Sequence, residues 1–133
     1  MNLNIEDLIM EGKPQKLKLN YKVWIETEDH VGVLGEGKWK LLKAIRDTGS
    51  LKEAVSYMGY TYRKTWENLR SIEEKLGIKL IEKRRGGEKG GETVLTKRGE
   101  MIVDFFDKLS GEIDPLVNER FGQFLKDLNR IIE

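Results

Sequence analysis

Three glycines, Gly49, Gly59 and Gly77, divide the middle of the sequence into two helical segments and constrain the fold more than any other feature. Gly49 ends one helical pattern and is followed by Ser50, whose side chain suits the N-cap of the next helix. Thr61 follows Gly59 and is the N-cap candidate of a longer helix that ends at Gly77. Two helices joined by a short turn form a helix-turn-helix, so this spacing predicts a helical domain built around the motif.

The residues before this motif predict a hairpin and one further helix. Apolar and polar residues alternate over 17–25, which indicates a strand with one buried face. A turn over 28–30 and a return strand over 31–34 complete the predicted hairpin. From Gly37 onward the apolar residues recur at helical spacing, which predicts a helix. Trp39 in this helix is expected to pack in the hydrophobic core.

A glycine-rich basic loop follows the helix-turn-helix and lies between two short predicted strands. The strands cover residues 80–83 and 93–95, and the loop between them contains four glycines together with Arg84, Arg85 and Lys89. A strand, a flexible basic loop and a returning strand form a wing.

The C-terminal third carries more apolar residues than the winged domain needs for its own core. Thr96 is a predicted N-cap, and an apolar helical stripe follows it until Pro115 interrupts the helix. Left exposed, this stripe would exceed the apolar patch that a soluble monomer normally shows, so we expect a homodimer; the alternative is a tail folded back onto its own domain. The predicted interface residues are Phe105, Phe106, Leu109, Leu116, Phe121, Phe124, Leu125 and Leu128.

The predicted organisation has three parts. Residues 1–15 form an N-terminal arm or short helix, residues 16–110 form the winged helix-turn-helix domain with its wing at 80–95, and residues 111–133 form a C-terminal helical extension. The expected fold class is mainly α with small β: a winged helix-turn-helix with an N-terminal β-hairpin and C-terminal dimerisation helices.

Charge is concentrated in one part of the chain. The whole sequence has a net charge of only +1, but residues 61–98 carry eleven basic and six acidic side chains, whereas residues 99–133 carry four basic and eight acidic ones. A local basic surface of this kind suits the phosphate backbone of a nucleic acid. Together with the helix-turn-helix and the wing, it predicts a sequence-specific transcriptional regulator that binds double-stranded DNA.

The helix over residues 61–76 separates into an apolar side, where Trp66 is expected to pack in the core, and a polar side that is basic towards its N-terminus. Recognition helices place their N-terminal residues against base edges in the major groove. Arg63 and Lys64 suit guanine edges or phosphates, and Asn68 suits adenine. The wing is predicted to contact the DNA backbone. The residues predicted to contact DNA are Ser50, Thr61, Tyr62, Arg63, Lys64, Glu67, Asn68, Arg70, Ser71, Arg84, Arg85 and Lys89.

Two other kinds of function compete with DNA binding. A winged helix can serve as a protein–protein contact module that binds no DNA, and the polar helix face is then only a solvated surface. Residues 32–38 match the first seven positions of a nucleotide-binding phosphate loop, but Trp39 stands where serine or threonine would hold magnesium. The basic segment with its wing favours DNA over protein contact, and Trp39 argues against a nucleotide site.

Catalytic, metal and membrane functions find little support in the composition. The chain has no cysteine, and its single histidine, His30, lies in a predicted turn, so we expect no metal site and no cofactor. No nucleophile lies beside a base in the sequence, and no enzymatic activity is expected. The absence of a long apolar run and of a secretory signal predicts a cytoplasmic protein without a membrane partner.

The residues that organise the helix-turn-helix and wing resemble the DNA-binding half of LysR-type regulators; they are Gly49–Ser50, Ala54, Met58–Gly59, Leu69, Ile72–Glu73, Leu76–Gly77, Leu80–Glu82, Leu95–Thr96 and Gly99–Glu100. Three features make the chain more similar to the N-terminal domain of the molybdate-responsive ModE family: the leading hairpin, the Tyr62–Trp66 segment and the glycine-rich wing from Gly86 to Gly91. The resemblance implies a winged helix, operator binding and a dimer. That family carries C-terminal oxyanion-binding modules, and because this chain ends before one could begin, we expect no small-molecule effector to bind it.

Overall fold

The computed structural model describes residues 16–85 and 91–131. The predicted N-terminal arm and the tip of the predicted wing, including Lys89, lie outside these residues. The elements, in chain order, are β1 (Ile25–Glu26), β2 (Gly32–Leu34), α1 (Glu36–Thr48), α2 (Leu51–Met58), α3 (Tyr62–Leu76), β3 (Ile81–Arg84), β4 (Glu92–Leu95) and α4 (Lys97–Arg130). Strands β1 and β2 form one antiparallel pair, and β3 and β4 form another.

The chain divides into two compact units, one of which is Lys22–Asp107 and contains the whole winged helix. Its core is built from side chains of α1, α2, α3, the strands and the first turns of α4. The largest fully buried side chains are Leu34, Leu41, Leu42, Ile45, Leu51, Leu69, Leu80 and Val103. Of the described residues, the second unit comprises 16–21 and 108–131. In it, the Ser110 hydroxyl donates to Asp114 at 3.1 Å, and the Tyr21 hydroxyl donates to the same carboxylate.

The helix-turn-helix is confirmed at the residues that predicted it. Gly49, Gly59 and Gly77 end α1, α2 and α3 in the left-handed conformation, with φ of 69°, 75° and 70°. The Ser50 hydroxyl accepts a hydrogen bond from the backbone N–H of Glu53 at 3.1 Å, which fixes the start of α2. Left-handed glycines therefore set the C-terminal ends of α1, α2 and α3, and a side-chain cap sets the start of α2.

Helix α1, the helix-turn-helix of α2 and α3, and the two-stranded wing of β3 and β4 form a winged helix. The wing strands pair in regular register from Ile81 opposite Leu95 to Arg84 opposite Glu92. The N–H of Thr93 donates to the carbonyl of Gly49 at 2.9 Å, so β4 is tied to the end of α1. The fold class is mainly helical with small antiparallel sheets, as the sequence predicts.

The long first strand predicted over residues 17–25 is wrong for most of its length. Only Ile25 and Glu26 form β1, because β2 is short and its irregular register offers partners at Leu34 and Gly32 alone. Without a partner strand, the alternating pattern before Ile25 has no backbone hydrogen bonds to satisfy as a sheet. The predicted turn does form, and it places His30 at a φ of 67°.

The interruption predicted at Pro115 is also wrong, since α4 runs as one helix from Lys97 to Arg130. Proline has a φ that a helix accepts, and its cost is the lost hydrogen bond and the crowding of the carbonyl four residues earlier, about 3 kcal/mol. Helical turns on both sides outweigh this local cost. The N-cap predicted for this helix is confirmed, since Thr96 Oγ1 accepts from the N–H of Gly99 at 3.1 Å.

Candidate nucleic-acid interface

Helix α3 has the two sides that its sequence predicts. Thr65, Leu69 and Ile72 are buried, and Trp66 and Leu76 are partly buried against the same core. Trp66 is therefore a packing residue rather than a free stacking surface. Because one side of α3 is held by the core, its other side faces outward as a fixed row of polar side chains.

The outward side of α3 is mostly exposed and carries three cations. Arg63, Lys64, Glu67 and Arg70 are exposed, whereas the neighbouring Asn68 is half-buried, as is Ser71. The Nε atom of Arg63 lies 3.5 Å from a carboxylate oxygen of Glu67, in side chains that are 93% and 65% exposed. An ion pair this exposed contributes at most about 1 kcal/mol, so Arg63 can exchange Glu67 for another partner at little cost.

The N-terminal turn of α3 is joined to the wing by Lys83, a residue that the sequence patterns did not single out. The Lys83 ammonium lies 4.9 Å from the centre of the Trp66 ring and 6.0 Å from that of Tyr62. It also donates a hydrogen bond to the Tyr62 hydroxyl at 3.3 Å. Tyr62, one of the predicted DNA-contact residues, is 43% exposed and lies at the border between core and surface.

Glu73 makes the second connection between α3 and the wing and was likewise missed. Its Oε2 atom accepts hydrogen bonds from the backbone N–H groups of Leu80 at 2.7 Å and Ile81 at 3.3 Å. The signal in the sequence was a carboxylate on the apolar side of the helix, where a charge needs a defined hydrogen-bond partner. Glu73 thus fixes where β3 begins relative to α3.

The described part of the wing presents two of its three predicted cations. Arg84 and Arg85 are exposed, and a guanidinium nitrogen of Arg84 lies 3.4 Å from a carboxylate oxygen of Glu82. This contact is again a solvent-exposed ion pair with little energy to lose.

Two predicted contact residues have places at helix starts. The Ser50 hydroxyl is already engaged as the N-cap of α2, so its lone pair is committed to the helix. Thr61 occupies the N-cap position of α3, but its side chain makes no capping hydrogen bond. The first N–H groups of α3 are consequently left without a side-chain acceptor from that residue.

One residue of the predicted dimer interface has to be withdrawn. Phe106 is 3% exposed and stacks on Trp39 with ring centres 5.9 Å apart, so it belongs to the core of its own unit. Its neighbour Phe105 is 54% exposed, and Leu116 and Phe124 are 48% and 51% exposed. The remaining predicted interface residues are half-buried: Leu109, Phe121, Leu125 and Leu128.

The described residues give no sign of a metal centre or a membrane span. Within 16–85 and 91–131, no group of three His, Asp or Glu side chains converges as a metal site would require. No helix in this part of the chain combines the length and the apolar character needed to cross a membrane.

Curated proteins that are similar to this chain are regulators and molybdenum-binding proteins. The molybdenum-pterin-binding protein MopB of Rhodobacter capsulatus is 30% identical over 96 residues, which are 72% of this chain and 34% of MopB. The transcriptional regulator ModE of Yersinia pestis is 31% identical over 70 residues, which are 53% of this chain and 27% of ModE. The chain thus spans about a third or less of the length of these relatives. No protein-family model matches it.

Among solved structures, the DNA-binding domain of BenM in complex with benA site 1 DNA superposes with a TM-score of 0.49. The two sequences are 22% identical, and the superposition covers 64% of this chain and 94% of that one.

Proposed function

We propose that this chain is a transcriptional regulator that binds double-stranded DNA, and its similarity to the transcriptional regulator ModE supports the proposal. The observation that carries the proposal is the outward side of α3, where Arg63, Lys64 and Arg70 are exposed on a helix whose other side is buried. A rigid helix with an exposed cationic side, flanked by a basic wing, has the shape and charge that a major groove and its backbone accommodate.

In this proposal the N-terminal half of α3 lies in the major groove. The Arg63 guanidinium donates to O6 and N7 of guanine, Lys64 donates to guanine or to a phosphate, and the Asn68 amide pairs with adenine. The exposed Arg63–Glu67 ion pair opens when the groove supplies a stronger acceptor. Glu67 then remains as an acceptor for the amino group of cytosine.

The wing contacts the backbone on one side of this groove. Arg84 and Arg85 bind phosphates, which orient the protein on the duplex without selecting a sequence. Lys83 and Glu73 do not touch DNA in this arrangement. They hold the wing at a fixed place relative to α3 through Trp66, Tyr62 and the first backbone N–H groups of the β3 region.

Salt dependence tests the proposal most directly. We expect the protein to bind a random-sequence duplex with a log K that falls linearly with log salt, with a slope of about −0.9 for each phosphate neutralised. Fluorescence anisotropy over a KCl series measures the slope. As a control, Lys108→Gln combined with Arg120→Gln removes two charges from the second unit and is expected to leave the slope unchanged. No binding at about 50 mM salt contradicts the proposal.

We also propose that the chain is a homodimer whose interface includes the C-terminal part of α4. Leu116 and Phe124 are about half exposed on one helix, with partly buried Phe121, Leu125 and Leu128 nearby in sequence. Burying such side chains gains about 25 cal/mol per Å² of apolar area, against which the cost of association must be set. A two-fold dimer also presents two recognition helices to successive major grooves, about 34 Å apart.

Sedimentation equilibrium tests the dimer. At tens of micromolar protein we expect twice the 15.4 kDa mass of one chain. Leu116→Glu combined with Phe124→Glu is expected to give the monomer, because two carboxylates cannot be buried unpaired at the interface. Met101→Glu, at another exposed apolar residue of α4, serves as the matched control and keeps the dimer. A monomeric wild-type protein contradicts the proposal, and so does a double variant that still dimerises.

A further inference from the structure

Lys38 lies in the first turn of α1, and its side chain is directed onto Tyr60 rather than into solvent. Its ammonium nitrogen is 5.7 Å from the centre of the Tyr60 ring, and the lysine is half-buried. Tyr60 lies in the turn between α2 and α3, two residues before the recognition helix begins. The aromatic face attracts the cation and keeps a flexible side chain in one place.

Within the described part of the chain, Lys38 differs from the other cations of α1 in having no carboxylate partner. Lys40 pairs with Glu36 at 2.8 Å, Lys43 pairs with Asp107 at 3.0 Å, and Arg46 lies 3.6 Å from Asp104. Neither Lys38 nor Lys64 of α3 has a carboxylate within ion-pairing distance among residues 16–85 and 91–131. Glu36, the acidic residue nearest to Lys38 in sequence, is already engaged by Lys40.

The surroundings of Lys38 disfavour its charge. Burial, and after it the positive charge of Lys64, hold the pKa of Lys38 below its ordinary value. A partly buried ammonium group near a second positive charge loses both hydration and Coulomb energy. A bound anion offsets this penalty, and a phosphate oxygen suits the purpose because it accepts from several donors at once.

We propose that Lys38, positioned over the Tyr60 ring in the turn before α3, binds a backbone phosphate of the DNA duplex. The contact comes from α1 and is separate from the base contacts of α3 and from the wing. The inference rests on the proposed function, since it names a further residue for the same DNA interface. Tyr60 connects the two parts, because it contacts Lys38 and lies two residues before α3 begins.

Two glycines precede Lys38. Gly35 is the N-cap of α1, and Gly37 lies in its first turn, where a Cβ atom would lie 3.6 Å from the Tyr60 hydroxyl. This is the segment whose spacing resembles a phosphate loop. The structure shows it as a strand, a cap and a helix start, with the lysine directed onto the Tyr60 ring.

The test compares Lys38→Gln with Lys40→Gln, which removes the same charge two residues away on the same helix. Binding of a fluorescein-labelled random duplex is measured by anisotropy from about 50 to about 200 mM KCl. Losing one phosphate contact should reduce the salt slope by about 0.9. Raising the salt over this range should therefore weaken DNA binding by the wild type about 3.5-fold more than binding by Lys38→Gln. Lys40→Gln should keep the wild-type slope, because Glu36 already neutralises Lys40. Unchanged circular dichroism and thermal unfolding establish that both variants fold.

The outcomes separate this inference from the proposed function. A wild type that binds no duplex overturns both. A wild type that binds, with equal slopes for the two variants, overturns the Lys38 site alone. A third arm adds millimolar inorganic phosphate at constant ionic strength. If phosphate lowers the affinity of the wild type towards that of Lys38→Gln and leaves the variant unchanged, it competes with the DNA backbone for the Lys38 site, as the inference requires.

Discussion

Gly99→Ala is expected to destabilise the protein by about 3 kcal/mol, because the added methyl group has no place to go. A Cβ atom at this position would lie 2.3 Å from the carbonyl oxygen of Leu80, and that atom belongs to the backbone. The same carbonyl accepts the N–H of Thr96 at 2.9 Å, so moving it breaks the junction between β3 and the start of α4. Leu80 is itself fully buried, which leaves the strand no room to shift.

Gly111→Ala is the matched control, since Gly111 is also inside α4 but has open space within 4 Å of the point that an alanine methyl group would occupy. Removing the backbone freedom of a helical glycine should stabilise the protein by about 0.5–1 kcal/mol. Urea denaturation followed by circular dichroism, at one protein concentration, measures both variants. Equal effects at the two glycines would show that helix propensity, rather than the contact with Leu80, decides the outcome.

Substitutions in α3 and in the wing are expected to change DNA binding in different ways. Arg63→Ala and Asn68→Ala should each cost about 1–3 kcal/mol on a preferred duplex and should relax the preference, because both remove donors to base edges. Arg84→Ala and Arg85→Ala should weaken all duplexes alike and reduce the salt slope, because a phosphate is present at every step.

The measurement needs two duplexes, one selected from a randomised library and one of random sequence, each titrated with the wild type and the variants. The ratio of the two dissociation constants reports sequence preference, and the salt slope reports phosphate contacts. Arg120→Ala removes one exposed charge outside the winged helix and controls for net charge. Wing variants that alter the ratio while α3 variants leave it unchanged would reverse the roles proposed for the two elements.

The helix-turn-helix could be predicted from sequence because its determinants are local. A glycine with positive φ ends each of α1, α2 and α3. Ser50 caps α2 by accepting a hydrogen bond from the N–H of Glu53, three residues further along the chain. Helical periodicity likewise separated the buried residues of α3 from its exposed cations. These signals depend only on neighbours along one helix, so a single sequence carries them in full.

The parts that failed depend on partners distant in sequence. The alternation before Ile25 predicts a strand, but a strand exists only where another pairs with it, and β2 is too short to do so. In the sequence, Phe106 is one more residue of an apolar stripe. Its burial depends on stacking against Trp39, which is distant in sequence. The links of Lys83 and Glu73 to α3 and β3 similarly join side chains or backbone groups that no local pattern relates.

The double attachment of α3 to the wing has a consequence for the DNA rather than for the protein. Lys83 contacts Tyr62 and Trp66, and Glu73 holds the backbone where β3 begins, so these contacts oppose any change in the spacing between α3 and the wing. A duplex that engages both must match their fixed spacing by adjusting its own groove width and curvature. Stiff and flexible base steps require different energies for that adjustment. A fixed spacing between α3 and the wing therefore discriminates among DNA sequences at positions that no side chain touches.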